Sequence, residues 1–354
     1  MDDWQARLTL ALCVEPGDER IGALVAEFGA VEAVTSLLES DQMPKVRQRL
    51  QQAINDEQPD RTINHMNQTR VRFITPTSSE WPVALEDLDL AKPIGLWCRG
   101  RGQLTQSSEC AISIVGARAS TNYGERIASE LGTLAAQRNV ATISGAAYGI
   151  DASVHRGSLV ADGKTIAVLA CGVDVAYPSA HQGLLSRITE NGCLVSEIPL
   201  GQSAHKRHFL IRNRIIAALS QSTVVVEAAL RSGSLSTANW AHTLGRQVWG
   251  IPGPITSATS AGVHAGIKDG MISIVSDLAD VFPEHSPGDL TQSTSEVSEL
   301  IINLLRNSPS GMELSQLNVA TNSAGYLVEE VIATLSVLEI YGQVIRTSSG
   351  WALP

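Results

Sequence analysis

The sequence predicts an α/β chain built on an extended, doubly wound and mostly parallel sheet. Three observations carry that prediction. Seven short runs rich in Val and Ile (AISIV, VATIS, TIAVLA, CLVSE, TVVVEA, QVWGI and MISIV) alternate with helical segments between residues 111 and 275. Their starts lie about 25 to 30 residues apart, the length of a strand, a crossover helix and two turns. Within each run the apolar residues follow one another without alternation, as strands covered on both faces require. The arrangement is Rossmann-like, with a small helical region before it and a winged-helix-like region after it.

Taken in order, residues 1–70 read as a small helical domain. WQARLTLALCVE, RIGALVAEFGAVEAVTSLLES and KVRQRLQQAIND repeat apolar residues at helical spacing, broken at Pro16-Gly17 and Pro44. The GALVAEFG turn faintly resembles SAM or helix-hairpin-helix modules, but packing alone explains the bundle and no chemistry is assigned to it. Residues 71–283 carry the sheet, led by RFITPTSSEWPVALEDL and KPIGLWCRG, which read as an extended lead-in strand packed on it. A polar linker follows at 284–295. Residues 296–354 then read as helix, helix, helix and short hairpin, the order of a winged helix.

Composition narrows the function classes. With 354 residues and 44% apolar side chains, the chain is long enough for a sizeable core and satellites. It contains no uninterrupted apolar stretch of about 18 residues, and MDDWQARL is acidic where a secretory leader is basic. A cytoplasmic protein without a membrane span is expected. Cys13, Cys98, Cys110, Cys171 and Cys193 are odd in number and never spaced as CxxC, so buried thiols are expected, with no disulfide framework and no metal. The net charge is -10, yet residues 112–250 carry +4 and the remainder -14. An anionic ligand therefore belongs to the middle of the chain. Residues 290–354 carry -4, which repels phosphates, so a protein-contact role is expected there.

In an open parallel sheet, ligands sit beyond the carboxyl ends of the strands, where helix N-termini present free N–H groups. After the first run comes Gly116-Ala117-Arg118-Ala119-Ser120-Thr121: a glycine for close approach, an arginine to fork onto a phosphate, and hydroxyls to cap a helix. It has neither the GxGxxG of dinucleotide folds nor the lysine of a P-loop, so no cofactor is implied. Ser144 and Gly145 follow the second run, where a dinucleotide fold places an acid for the ribose. Asp151 reads as the N-cap of the next helix or as a catalytic acid. His155, one turn on, either pairs with it or packs. Lys164 precedes the third run, on the far edge of an ideal sheet, and reads as a surface lysine. HKRHFLIRNR, containing Lys206, Phe209, Arg212, Asn213 and Arg214 without an acid, suits a single strand held by cations and an aromatic ring. Ser232-Gly233-Ser234 forms a second ready anion site. Glu227 reads as either a structural carboxylate or a general acid/base.

SIVGARAST, SGAAYGIDASVHRGSL, GKTIAVLACGVDVAYPSAH, SEIPLG, HFLIRNRIIAALS, VVEAALRSGSLSTANWAHTLGRQVWGIPG and AGVHAGIKDG resemble successive blocks of the DNA-processing protein A (DprA, or Smf) family. The resemblance runs over roughly residues 75–280. It implies a non-catalytic, sequence-independent single-stranded-DNA-binding protein that shelters incoming DNA and loads the RecA recombinase onto it in natural transformation. It also implies a homodimer formed through the Rossmann-like domain. Carried over residue by residue, the strand-binding pocket falls on Gly116, Arg118, Ser144, Gly145, Lys164, Lys206, Phe209, Asn213 and Arg214. Lys164 thereby becomes a ligand against its positional reading. The chain departs from the family pattern at Gly262–Met271, which lacks the usual asparagine and leucine, and at GAA for GLA in the second turn. Two rivals stand beside this reading. One is a phosphoribohydrolase of the lysine-decarboxylase-like type, whose PGGxGT turn and helix glutamate are missing from RSGSLSTANWA. The other is a sequence-specific regulator acting through the acidic C-terminal region.

Overall fold

The computed structural model describes residues 1–108, 110–282 and 293–353, the last span with breaks at 307, 309–310, 323–325, 327, 341–342 and 348–349. Most of the linker read at 284–295 lies outside the described residues. The chain forms two compact units, Met1–Phe282 and Pro283–Pro354. No single helix among the described residues is long and apolar enough to cross a membrane.

The first unit opens with five helices: α1 (Asp3–Cys13), α2 (Glu19–Phe28), α3 (Ala30–Glu39), α4 (Pro44–Asn55) and α5 (Gln58–Thr69). Asp2 and Gln5 close a capping box on α1, which satisfies N–H groups that the first turn otherwise leaves open. The apolar-periodic run at 20–40 forms two helices. Gly29 sits between them at φ 82°, a conformation that ends α2 and that a side chain tolerates poorly. Leu10, Ile21, Val34, Leu37 and Leu50 form the bundle's own core. The bundle is nonetheless continuous with the sheet rather than set off at residue 70. The Trp4 indole N–H donates to the carbonyl of Phe73 at 3.0 Å and meets that ring edge-on.

The sheet has nine strands: β1 (Val71–Ile74), β2 (Leu96–Arg99), β3 (Ala111–Val115), β4 (Ala141–Ser144), β5 (Thr165–Val168), β6 (Cys193–Ser196), β7 (Ser222–Val225), β8 (Gln247–Gly250) and β9 (Ser273–Ile274). Their order is β1-β2-β6-β5-β4-β3-β7-β8-β9. The seven expected runs are β3 to β9, all parallel. The lead-in is not one packed strand but two, which extend the sheet antiparallel through the pairing of Trp97 with Ser196.

Helices α6 (Leu104–Ser108), α7 (Asn122–Gln137), α8 (Ile150–Val160), α9 (Gln182–Asn191), α10 (Lys206–Ile211), α11 (Asn213–Ala218), α12 (Ser234–Thr243) and α13 (Ala261–Lys268) fill the connections. Strand β3 shows how the two faces are used. Ile112 and Ile114 pack with Leu131 of α7 and Val154 of α8, while Val115 packs with Ile216 of α11 and Ala238 of α12. Both faces are thus covered, and every residue of β3 to β7 is buried.

His155 of α8 is fully buried between these layers. Its Nδ1 lies 2.7 Å from Thr165 Oγ1, and its Nε2 has no partner. It does not pair with Asp151. Burial pushes its pKa down to about 3, so it folds neutral while the unfolded chain protonates near pH 6.5. Between those values the unfolded state binds the extra proton, so stability contributed by this group is present above pH 6.5 and is lost as pH falls toward 3. Urea titrations across this window are expected to show wild type losing up to about 1.4 kcal/mol per pH unit more than His155→Gln.

The second unit contains α14 (Ser293–Arg306), α15 (Leu314–Asn322), α16 (Val328–Ile340) and the hairpin β10 (Ile345–Thr347) with β11 (Gly350–Ala352). This is the expected element order. Ile301, Leu305, Leu317, Leu335 and Trp351 form its core.

Candidate nucleic-acid interface

Strand order reverses at β3, whose neighbours β4 and β7 lead to opposite halves of the sheet. Crossover helices leave β3 and β7 on opposite faces, so a crevice opens beyond their carboxyl ends. A cavity of about 790 Å³ lies there.

Its first wall is the turn after β3. Thr121 caps α7 by accepting the N–H of Gly124 at 3.2 Å. The cap is held in turn by Glu227, which follows β7. Glu227 accepts the backbone N–H of Thr121 at 2.9 Å and its hydroxyl at 2.6 Å, and the hydroxyl of Thr259 at 3.3 Å. This carboxylate, open between two roles in the sequence, is fully engaged in tying the turns together. Thr121 is exposed, so Glu227→Ala leaves its donors to water but removes the charge-assisted hydrogen bonds of a buried carboxylate, and is expected to cost about 1–3 kcal/mol, read as a lowered urea midpoint.

From that turn Arg118 projects, exposed, with its guanidinium 4.4 Å above the ring of Phe209. Phe209 lies on α10, three positions after Lys206, a spacing that sets both on one face. Tyr177 stands 5.6 Å from Phe209, tilted 52°. On the opposite wall Asn213 donates to the carbonyl of Gly233 at 3.1 Å, joining α11 to the N-terminus of α12. There the hydroxyls of Ser232 and Ser234 lie 2.7 Å apart. The cavity therefore brings together Gly116, Arg118, Lys206, Phe209, Asn213 and Ser232–Ser234. Gly145 lines an adjoining cleft of about 40 Å³ shared with Arg118, Tyr177 and Phe209.

Three expected residues stand elsewhere. The Ser144 hydroxyl is fully buried and donates to the carbonyl of Ile114 at 2.7 Å. Lys164 is exposed at the residue before β5, hence at the amino edge of a parallel strand and across the sheet from the cavity. Arg214 is buried: it donates to both oxygens of Glu197 at 2.8 and 2.7 Å and to the carbonyl of Ala91 at 2.8 Å. Consecutive helical residues point about 100° apart, so Asn213 faces the cavity and Arg214 does not. Asp151 is not an N-cap either, because Gly149 holds that position.

Asp151 and Arg212, which the family resemblance did not carry into the strand-binding pocket, both line the cavity. Burial raises the Asp151 carboxyl, opposed by the charge of Arg212 and the N–H of Ala147. Burial lowers Arg212 to about 10, so it stays cationic at neutral pH. Its guanidinium packs directly over Gly145 and donates to Asn213 Oδ1 at 3.1 Å and to the carbonyl of Val168. Any side chain at Gly145 would displace it.

The profile of DNA recombination-mediator protein A matches residues 72–286. A Mycobacterium tuberculosis protein named as a DNA processing protein DprA is 34% identical over 97% of this chain and 92% of its own length. Protein Smf of Escherichia coli is 36% identical over 71% of this chain and 69% of its own. Among solved structures, DNA processing protein A from Streptococcus pneumoniae superposes with a TM-score of 0.67 at 26% identity, covering 80% of this chain and 99% of that one. The protein from Helicobacter pylori, solved for its single-stranded DNA binding mode, gives 0.54 at 26% identity over 59% and 93%. A profile matching more than half of the residues and a relative aligned along nearly the whole length make the chain a member of the DNA recombination-mediator protein A family, the DprA and Smf proteins.

Proposed function

We propose that this protein binds single-stranded DNA without overall sequence preference, shelters it, and passes it to a RecA-type recombinase without catalysing a reaction on it. The observation that carries the reading is the switch-point cavity, in which the cations of Arg118 and Lys206 stand beside the rings of Phe209 and Tyr177. Cations track a phosphate backbone and rings stack on unpaired bases, a combination a duplex does not satisfy. We assign Gly116, Arg118, Gly145, Lys206, Phe209 and Asn213 to the strand, with Ser232–Ser234 as an additional anion subsite. The Helicobacter pylori relative supports the ligand class.

Family membership supports the finer parts of the reading: a cytoplasmic homodimer acting in transformation or homologous recombination. Two copies double a short cationic track and raise avidity through effective concentration. The acidic C-terminal unit fits a winged-helix-like protein-contact module rather than a DNA reader. The test is equilibrium binding to single-stranded and double-stranded oligonucleotides across a salt series. Preference for the single strand, with affinity falling as salt rises, is expected. Tighter duplex binding at physiological salt, or no binding of the single strand, overturns the reading.

A further inference from the structure

The charges of the cavity are layered. Its cations Arg118 and Lys206 are exposed at the rim. Deeper in, two nearly buried groups of opposite charge line it: Asp151, 5% exposed, and Arg212, 7% exposed. Asp151 Oδ2 accepts the N–H of Ala147 at 3.3 Å, the Ser144 hydroxyl and the Gly145 N–H also face this carboxylate, and the Arg212 guanidinium is fixed by Asn213 and Val168. At this depth the Arg212 charge is offset by Asp151 beside it, which leaves no net positive charge to hold a phosphate, whereas the rim cations are unopposed among the described residues. A base is uncharged. The layering therefore places phosphate at the rim and a base below it, against the ring wall of Phe209 and Tyr177.

The four bases differ in what they offer a carboxylate with a guanidinium beside it. Guanine presents two adjacent donors, N1–H and the N2 amine, and next to them the O6 acceptor. Adenine and cytosine set one amine donor beside a ring-nitrogen acceptor, which a carboxylate repels. Thymine flanks its one N–H with two carbonyl oxygens. We propose that Asp151 and Arg212 form a base-reading subsite that favours guanine, Asp151 accepting from N1–H and N2–H and Arg212 donating to O6. The preference is superimposed on backbone binding that is otherwise indifferent to sequence. It rests on the assignment of the cavity to single-stranded DNA.

The experiment is anisotropy competition with short thymidine oligonucleotides carrying one central guanine, inosine, adenine, cytosine or thymine. The guanine strand is expected to bind roughly tenfold tighter than the thymine strand, the order of one bidentate base contact. Inosine keeps N1–H and O6 but lacks the N2 amine, so most of that gain is lost with it. Asp151→Asn is expected to level the five strands. The inosine comparison uses the unmodified protein and so holds whether or not the variant folds. Equal binding of all five strands overturns the base preference and leaves the function reading standing. Failure of every strand to bind overturns both. Free dGMP competing at the same concentration as the guanine strand would overturn the assignment to a strand, in favour of a mononucleotide site.

Discussion

Phe209→Ala is expected to weaken single-strand binding by about 1–3 kcal/mol, roughly fivefold to more than a hundredfold, with little change in salt dependence. The ring is the stacking surface of the cavity, and it carries no charge that displaces counterions from DNA. Arg118→Ala is expected to behave differently. It removes one phosphate contact, so the slope of log affinity against log salt falls by about 0.7. Because the guanidinium lies 4.4 Å above the Phe209 ring, the two losses are coupled: removing the ring also frees the cation that it positions. The double variant is therefore expected to lose less than the two single losses combined. Gel-shift or anisotropy titrations of the three variants across salt separate these effects. Unchanged affinity in Phe209→Ala and Arg118→Ala alike would remove the cavity from DNA binding.

What the sequence reveals of the fold follows from burial. Strands β3 to β7 are covered on both faces, so each reads as a short, mostly apolar run without charged residues, with a helix on either side. Strands β1 and β2 are harder to read, because VRFI and LWCR each carry an arginine and are separated by prolines and a 3₁₀ segment at Val83–Ala91. Their place is set by a long-range pairing with β6 that no local pattern encodes. The break between α2 and α3 falls at the last residue of the GALVAEFG turn, Gly29, where the apolar period runs on and the backbone angle shows that the helix ends.

The site divides along similar lines. Arg118, Lys206 and Phe209 are legible because they follow parallel strands or share one face of a helix, and topology alone brings them to one edge. Lys164 shows the same logic in reverse, since its place before β5 is enough to set it on the far edge. Asp151 is not legible as a cavity group, and Arg212 is legible only as one cation of the basic run. They come from different crossovers, and their meeting depends on how α8 and the α10–α11 junction are set against each other. Within Arg212-Asn213-Arg214, the sequence offers three polar neighbours. Packing sends two toward the cavity and the third into the Glu197 ion pair.

That third residue gives the largest expected effect on stability. Arg214→Ala is expected to destabilise the protein by about 3–5 kcal/mol, because it leaves the Glu197 carboxylate buried without its two N–H partners and frees the carbonyl of Ala91. Removing one member of a buried pair costs more than the pair contributes, since the desolvated partner remains. Arg214→Met combined with Glu197→Leu should therefore recover much of the loss by filling the space with apolar atoms. Urea midpoints of the single and double variants check this directly. The same variants decide whether the arginine also touches DNA. In the structure its guanidinium is committed to Glu197 and to the segment that joins β1 to β2, so the folded double variant is expected to bind single strands as tightly as wild type. A stable double variant with tenfold weaker DNA binding would return Arg214 to the strand, and would mean that the Glu197 pair opens when DNA enters the cavity.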